Sequence, residues 1–426
     1  MYRRASLFAT RRDIHVIKVR SVRERYEIQE RCLKERLERI VPQAMKQSGA
    51  DIWLHVSREY NEDPTFRALF PPMYPTARRL TILAFVKTEE GVRRFHVAMP
   101  DEDLERFYER YWIDWREEPQ MAALQRLFEE YQPQTIAVDR SKNFAVADGL
   151  SAGCEALLLE GLDETWTSRM YADDVFPIKV MELRTPTEME LMPEVANVSY
   201  SILEEMYTSE VVKPGVTTTQ DLEFFMRQRT VDLGLEYWFE PTMDIERAGV
   251  DESRITGVIE PGDLLHCDFG IRYMNMMTDS QRLAYVARPG ETEIPAELVD
   301  ALAVNNRFQD IVCENMVPGR TGNEVFEVSL AAAREEGIDA MLYSHPCNMY
   351  GHGPGPTIGL WSNQGSIPVA GDVRVDENTC WALELNVKAP AQGRDKCYIY
   401  TEETVMLDNK GVHYLHEGRD KITFIG

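Results

Sequence analysis

The sequence contains no Cys-x-x-Cys pair and no even, closely spaced set of cysteines. Its seven cysteines (Cys32, Cys154, Cys267, Cys313, Cys347, Cys380 and Cys397) are scattered over 426 residues. That argues against a zinc ribbon and a disulfide framework. Several lie in apolar, strand-like runs where cysteine acts as a small hydrophobe, so a reducing, cytoplasmic setting is expected. No stretch approaches the roughly 20 apolar residues of a membrane span. The start, MYRRASLFATRR, lacks the apolar core of a secretory signal. A disordered tail is the expectation there, with a weak transit segment as the alternative. Positive charge is also scarce: 47 Lys and Arg face 71 Asp and Glu, a formal net charge of -24. Such a surface repels phosphate backbones and anionic lipid, which argues against nucleic-acid and membrane partners. Part of the acid is expected to be spent on cations.

What is present is enough chain for two domains. Residues 21–49 carry apolar positions at helical spacing. ADIWLHVS (50–57), LTILAFVK (80–87), FHVAMP (95–100) and TIAVD (135–139) read as strands, and the charged, aromatic stretch 101–131 reads as helix. Strands alternating with helices predict an α/β layer over residues 1–177. The texture then changes, and a second domain is expected over 178–426. Thr185-Pro186-Thr187 fits the start of a long helix over 183–208. This half echoes itself. Pro214-Gly215-Val216-Thr217 and Pro318-Gly319-Arg320-Thr321 each precede a helix-like stretch closed by a glycine, Gly234 or Gly337. Chance similarity of two turn-helix units is the alternative to a repeat.

Strand-like runs carrying acids follow each copy. In PGDLLHCDFGIRYMNMMTDSQRLAYV (261–286), Asp268 and Asp279 fall in two strands joined by a short connection, which brings both carboxylates to one face. CWALELNV (380–387) and KCYIYTEETVMLD (396–408) are apolar strands interrupted by Glu384 and Glu402. Buried acids side by side repel, and a multivalent cation between them answers both the repulsion and the burial. Between these pairs, a loop rich in glycine and proline (341–365) holds His345 and His352. Four carboxylates and an imidazole suit paired Mn²⁺, Co²⁺, Fe²⁺ or Zn²⁺, and a two-metal site is a device for hydrolysis. His266 alternates with Asp268 and is read as a packed strand residue, with support of the site as the alternative. His15, His55, His96, His413 and His416 have no constellation around them.

The order Asp, Asp, His, Glu, Glu resembles that of the pita-bread metallopeptidase superfamily: aminopeptidase P, prolidase, methionine aminopeptidase and the metal-free creatinase. The resemblance implies a creatinase-type α/β N-terminal domain (1–177). It implies an α+β pita-bread catalytic domain (178–426), a duplicated, pseudo-symmetric antiparallel sheet covered by helices. It also implies two divalent ions, Mn²⁺ first, and a homodimer. By position Asp268, Asp279, Glu384 and Glu402 match the metal acids. The family's His-x-x-Gly-Leu/Ile-x-x-His matches at Ile358-Gly359-Leu360. Without gaps, Pro356 takes the ligand position. With a four-residue insertion, His352 is the ligand and His345 auxiliary. The insertion is preferred because it keeps an imidazole in the set. Asn363 replaces a downstream catalytic histidine. A histidine expected before the first aspartate is missing from residues 241–257, where Arg247 or Arg254 approaches the same space. The expected activity is metal-dependent hydrolysis of an Xaa-Pro-like peptide or other small amide. Glu384 would be general acid/base, and His345 or Asn363 would hold the oxyanion. A metal-dependent lyase or amidohydrolase and a non-catalytic binding homologue are the alternatives. Retained buried acids oppose the last, since without metals they only cost stability.

Overall fold

A computed structural model describes residues 17–426; the basic start and His15 lie outside the described residues. In the first half, a six-stranded sheet has the order Glu109–Arg110, Gly91–Val97, Leu80–Thr88, Ile52–Arg58, Ile136–Val138, Met170–Ala172. Ile52–Arg58 pairs antiparallel with Leu80–Thr88 and parallel with Ile136–Val138, so the sheet is mixed. Strand alternation sends Ile52, Leu54 and Val56 toward Leu124, Phe128, Leu158 and Trp166, while Trp53 packs with Leu37, Val41, Phe176 and Val180. Both faces are covered, which is why these strands are apolar throughout.

The stretch 101–131 departs from expectation. Only Glu102–Glu105 and Gln120–Tyr131 are helical, and Glu109–Arg110 pairs with the sheet. Tyr108, Tyr111 and Trp112 are buried there in irregular chain, so their apolarity reports packing rather than helix.

The second half opens on helix Pro186–Met206, whose N-cap Thr185 forms a reciprocal capping box with Glu188. The internal echo is structural. Thr218 and Thr321 cap helices Thr219–Asp232 and Gly322–Glu335 with the same box, through Asp221 and Glu324. Gly234 and Gly337 end both units at φ 64° and 76°, a left-handed turn that suits glycine. Between the helices runs a sheet with the main path Gly351–His352, His345–Asn348, Thr379–Ala391, Arg394–Asp408, Ser280–Val286, Leu264–Phe269, Thr242–Glu246, each adjacent pair antiparallel. Leu265, Cys267 and Phe269 enter an apolar core with helix Pro186–Met206, which leaves His266 and Asp268 for the opposite face. Glu403 also points to the helix side, where Arg282 donates to both its oxygens (2.6 and 2.8 Å) and Tyr200 donates at 2.9 Å.

The connection between the two aspartates is longer than a simple hairpin turn. Ile271–Tyr273 and Met276–Met277 form a small sheet with Glu236–Tyr237, closed by Met274 and Asn275, both at positive φ. Asp279 consequently sits just before strand Ser280–Val286 rather than within it. The two halves are joined by helix Val175–Glu182, in which Phe176 to Glu182 are all buried. The division expected at about residue 178 falls on this packed helix.

Candidate metal centre

Cross-strand register builds the site. Asp268 pairs with Gln281, Gln281 with Glu402, and Glu402 with Glu384. Directly paired residues share a face, so four adjacent strands set these side chains in one row, with strands about 4.8 Å apart. Asp279 precedes Gln281 by two residues and is pinned by Thr404. Its amide donates to Thr404 Oγ1 at 2.9 Å, and that hydroxyl donates back to the Asp279 carbonyl at 2.7 Å. His345 joins from strand His345–Asn348, paired with Ala382 two residues before Glu384.

The potential ligand atoms fall into three groups, each within 4.8 Å internally: Asp268, Asp279 and Glu402; His345, Glu384 and Glu402; Asp279, His345 and His352. The first two share Glu402, and together they span five side chains. Asp279 and Glu402 are buried, while Asp268, Glu384 and His345 are partly exposed. Burial pushes the Asp268 carboxyl up to about 6. Burial and then Asp268 push Glu384 up to about 8. Burial and neighbouring acids raise Asp279 and Glu402 well above the ordinary range. His345 is pushed down to about 3 by burial and then by His352, so it stays neutral and able to ligate. Asp268 Oδ1, Asp279 Oδ1, Glu402 Oε1 and His345 Nε2 are buried without a hydrogen-bond partner among the described residues. Orphaned buried acceptors facing one another are what a cation would satisfy, and oxygen and imidazole donors fit a first-row divalent ion.

A hydrogen-bonded chain supports Glu384. Gln281 Nε2 donates to Glu384 Oε1 at 2.8 Å, so Gln281 Oε1 accepts from His266 Nε2 at 2.9 Å. His266 Nδ1 lies 3.1 Å from Asp244 Oδ2, on which Arg254 Nε also donates at 2.7 Å. Burial works against charge on His266, but Asp244 outweighs it and raises the imidazole above its usual value. Burial likewise opposes the Asp244 charge, which His266 and Arg254 nevertheless hold below the carboxylate range. With Asp244 ionised, both ring nitrogens face acceptors, an arrangement that favours the protonated ring. Of the two arginines expected near this space, Arg254 lies here; Arg247 is held by Asp263. His266 is thus more than a packed strand residue.

The profile of metallopeptidase family M24 matches residues 190–414, more than half of the chain. The protein belongs to metallopeptidase family M24. It is 26% identical over 193 residues to the uncharacterized peptidase YqhT of Bacillus subtilis (strain 168). That match takes in 43% of this chain and only 48% of YqhT, about half its length. Its fold is similar to the X-Pro aminopeptidase from Thermotoga maritima MSB8, with TM-score 0.63 and 16% identity over 90% of this chain and 99% of that one. It is similar to the Xaa-Pro dipeptidase from Bacillus anthracis (0.60, 16%, 92% and 99%). It is also similar to the N-terminal domain of FACT complex subunit SPT16 from Cicer arietinum (0.58, 10%, 94% and 99%). At these identities the structural likeness shows the fold: a mixed α/β N-terminal domain followed by the curled antiparallel sheet of the pita-bread type.

On this M24 sheet the two loop histidines are unequal. His345 belongs to two of the three groups, with Nε2 3.8 Å from Asp279 Oδ2. His352 is exposed, edge-on to His345 at 4.6 Å and to Trp238 at 5.0 Å. Pro356 is in none of the groups. Asn363 sits in an exposed turn closed by mutual backbone bonds with Leu360. Trp238, unremarked in the sequence, donates to the carbonyl of Thr278, next to Asp279. Two glycines make room for it: a Cβ at Gly270 or Gly351 would lie 2.3 or 2.2 Å from its indole.

Proposed function

We propose that this M24 chain is a metal-dependent hydrolase of a short peptide or other small amide, with two divalent ions held at the row of acids. The observation that carries the reading is the overlap of two ligand groups at Glu402. Asp268 and Asp279 would hold one ion, His345 and Glu384 the other, with Glu402 between them. In this reading the two histidines exchange the roles that the gapped alignment gave them: His345 ligates, and His352 faces the substrate. Two such ions, Mn²⁺ first and Co²⁺, Fe²⁺ or Zn²⁺ as the other candidates, would supply a hydroxide nucleophile at neutral pH and polarise the amide carbonyl. Glu384, partly exposed at the row of acids, would take and return the proton. His352, grouped with Asp279 and His345, and Trp238, bonded to the Thr278 carbonyl, would wall the site, and His352 would donate to the developing oxyanion, a role the sequence reading gives to His345 or Asn363. A cytoplasmic homodimer hydrolysing Xaa-Pro-like substrates completes the proposal. Seven free cysteines, six of them buried, support a reducing compartment. Among the described residues no helix is long and apolar enough to cross a membrane.

The test is metal analysis of the purified protein together with assays on Xaa-Pro dipeptides and N-acyl amino acids, with Mn²⁺ and with a chelator. About two ions per chain and chelator-sensitive amide cleavage are expected. Asp279→Asn should remove both metal and turnover. A fully active Asp279→Asn protein, or one without metal that still cleaves amides, refutes the assignment.

A further inference from the structure

A groove of about 550 Å³ runs along the junction of the two halves and is lined by none of the candidate metal ligands. Arg25, Arg67 and Arg272 line it, and Glu236 is its only acid among the described residues. This is a local excess of positive charge on a chain whose formal net charge is -24. Arg25 is largely spent on backbone, donating to the carbonyls of Arg20 and Gly234 at 2.7 Å each. The other two are not. Arg67 stacks on Tyr350 at 4.5 Å and donates to the Met349 carbonyl at 3.4 Å. No carboxylate lies within 4.0 Å of it among the described residues. Arg272 pairs with its cross-strand neighbour Glu236, whose side chain is 63% exposed. Burial, and then Arg67, pull the Arg272 guanidinium down to about 10. Two cations, Arg67 and Arg272, therefore line the groove with one solvated acid, Glu236.

Adjacent guanidinium groups present planar pairs of donors that match carboxylate or phosphate oxygens. Phe70, Pro72 and Tyr74 supply an apolar wall on the same groove. Its volume is that of a small-molecule site. We propose that this groove binds a small organic anion, its carboxylate or phosphate bridging Arg67 and Arg272 and its apolar part against Phe70, Pro72 and Tyr74. None of the candidate metal ligands lines the groove, and the proposal does not depend on the function proposed for them.

The experiment is isothermal titration of the full-length protein with phenylacetate, phenyl phosphate and the neutral phenylacetamide. Saturable binding of at least one anion is expected, with no saturable binding of the amide. Whichever anion binds more tightly identifies the headgroup. Arg67→Gln and Arg272→Gln should each weaken it about tenfold or more, the loss of a charge-assisted bond. Asp279→Asn, which empties the metal centre, should leave it unchanged and so excludes binding there. Arg67→Gln breaks no ion pair, so it stays readable if Arg272→Gln disturbs the fold; melting temperatures monitor both. The proposal is overturned if neither anion binds, if the amide binds equally well, if both arginine variants bind like the parent, or if Asp279→Asn abolishes binding.

Discussion

A carboxylate inside a sheet needs a counter-charge, and the four acids here face one another rather than four separate lysines or arginines. Asp268, Glu384 and Glu402 interrupt strand-like apolar runs, and Asp279 follows Asp268 at hairpin spacing, so each was visible in the sequence. The residues that orient them were not. Gln281 and His266 become partners of Glu384 through cross-strand register, which no local pattern encodes. Donor and acceptor counting gives Gln281 a single workable orientation: its amide nitrogen toward Glu384 and its oxygen toward His266. Gln281→Leu keeps the side chain's approximate size and removes both bonds. Metal affinity should fall about 10- to 100-fold, the usual cost of losing a support to a ligand. Competition with a chelating dye measures this, with circular dichroism showing an intact fold. Undiminished affinity would mean that Glu384 needs no such support. The contrast between His345 and His352 likewise comes from register. Both lie in one glycine-rich loop, and the pairing of His345 with Ala382, two residues before Glu384, sets it nearer the row of acids.

Secondary structure with a local chemical signature was readable. Thr185, Thr218 and Thr321 announce their helices through capping boxes, and the Pro-Gly-x-Thr echo marks the repeated unit. Thr321→Ala should cost about 1 kcal/mol, seen as a lower urea midpoint at constant slope. Stretch 101–131 was misread because its buried aromatics are held by contacts from elsewhere rather than by a period of its own. On the helix-facing side of the second-half sheet, Arg282 and Glu403 form a buried pair with Tyr200 that ties helix Pro186–Met206 to two strands. Removing one partner leaves a buried charge unanswered. Glu403→Ala should therefore destabilise by about 3–5 kcal/mol, and Glu403→Gln, which keeps a hydrogen-bonding group, by less. Equal, small losses in urea unfolding for both would show that the pair does not lock helix to sheet.

The two-domain architecture followed from texture and motif order. At the expected boundary the structure has a helix whose residues Phe176 to Glu182 are all buried. From that helix Lys179 reaches Glu182 at 3.2 Å and also contacts Asp376 in the second half. Glu182 is 1% exposed, with Oε1 unpartnered among the described residues. Burial pushes its carboxyl up to about 7, against the pull of Lys179. An acid whose folded pKa exceeds its unfolded value near 4.5 binds more protons folded than unfolded between those limits. Stability must then fall as pH rises through that window. Below it the group is neutral in both states and makes no difference; above it the full cost is present, at most about 3 kcal/mol. Glu182→Gln cannot ionise, so its melting temperature should decline less between pH 4.5 and 7 than that of the parent, and the gap should be widest near neutrality. Thermal melts across this range, at fixed ionic strength and metal content, measure both slopes. If they coincide, Glu182 is ionised throughout, and Lys179 holds the two halves together as a conventional ion pair.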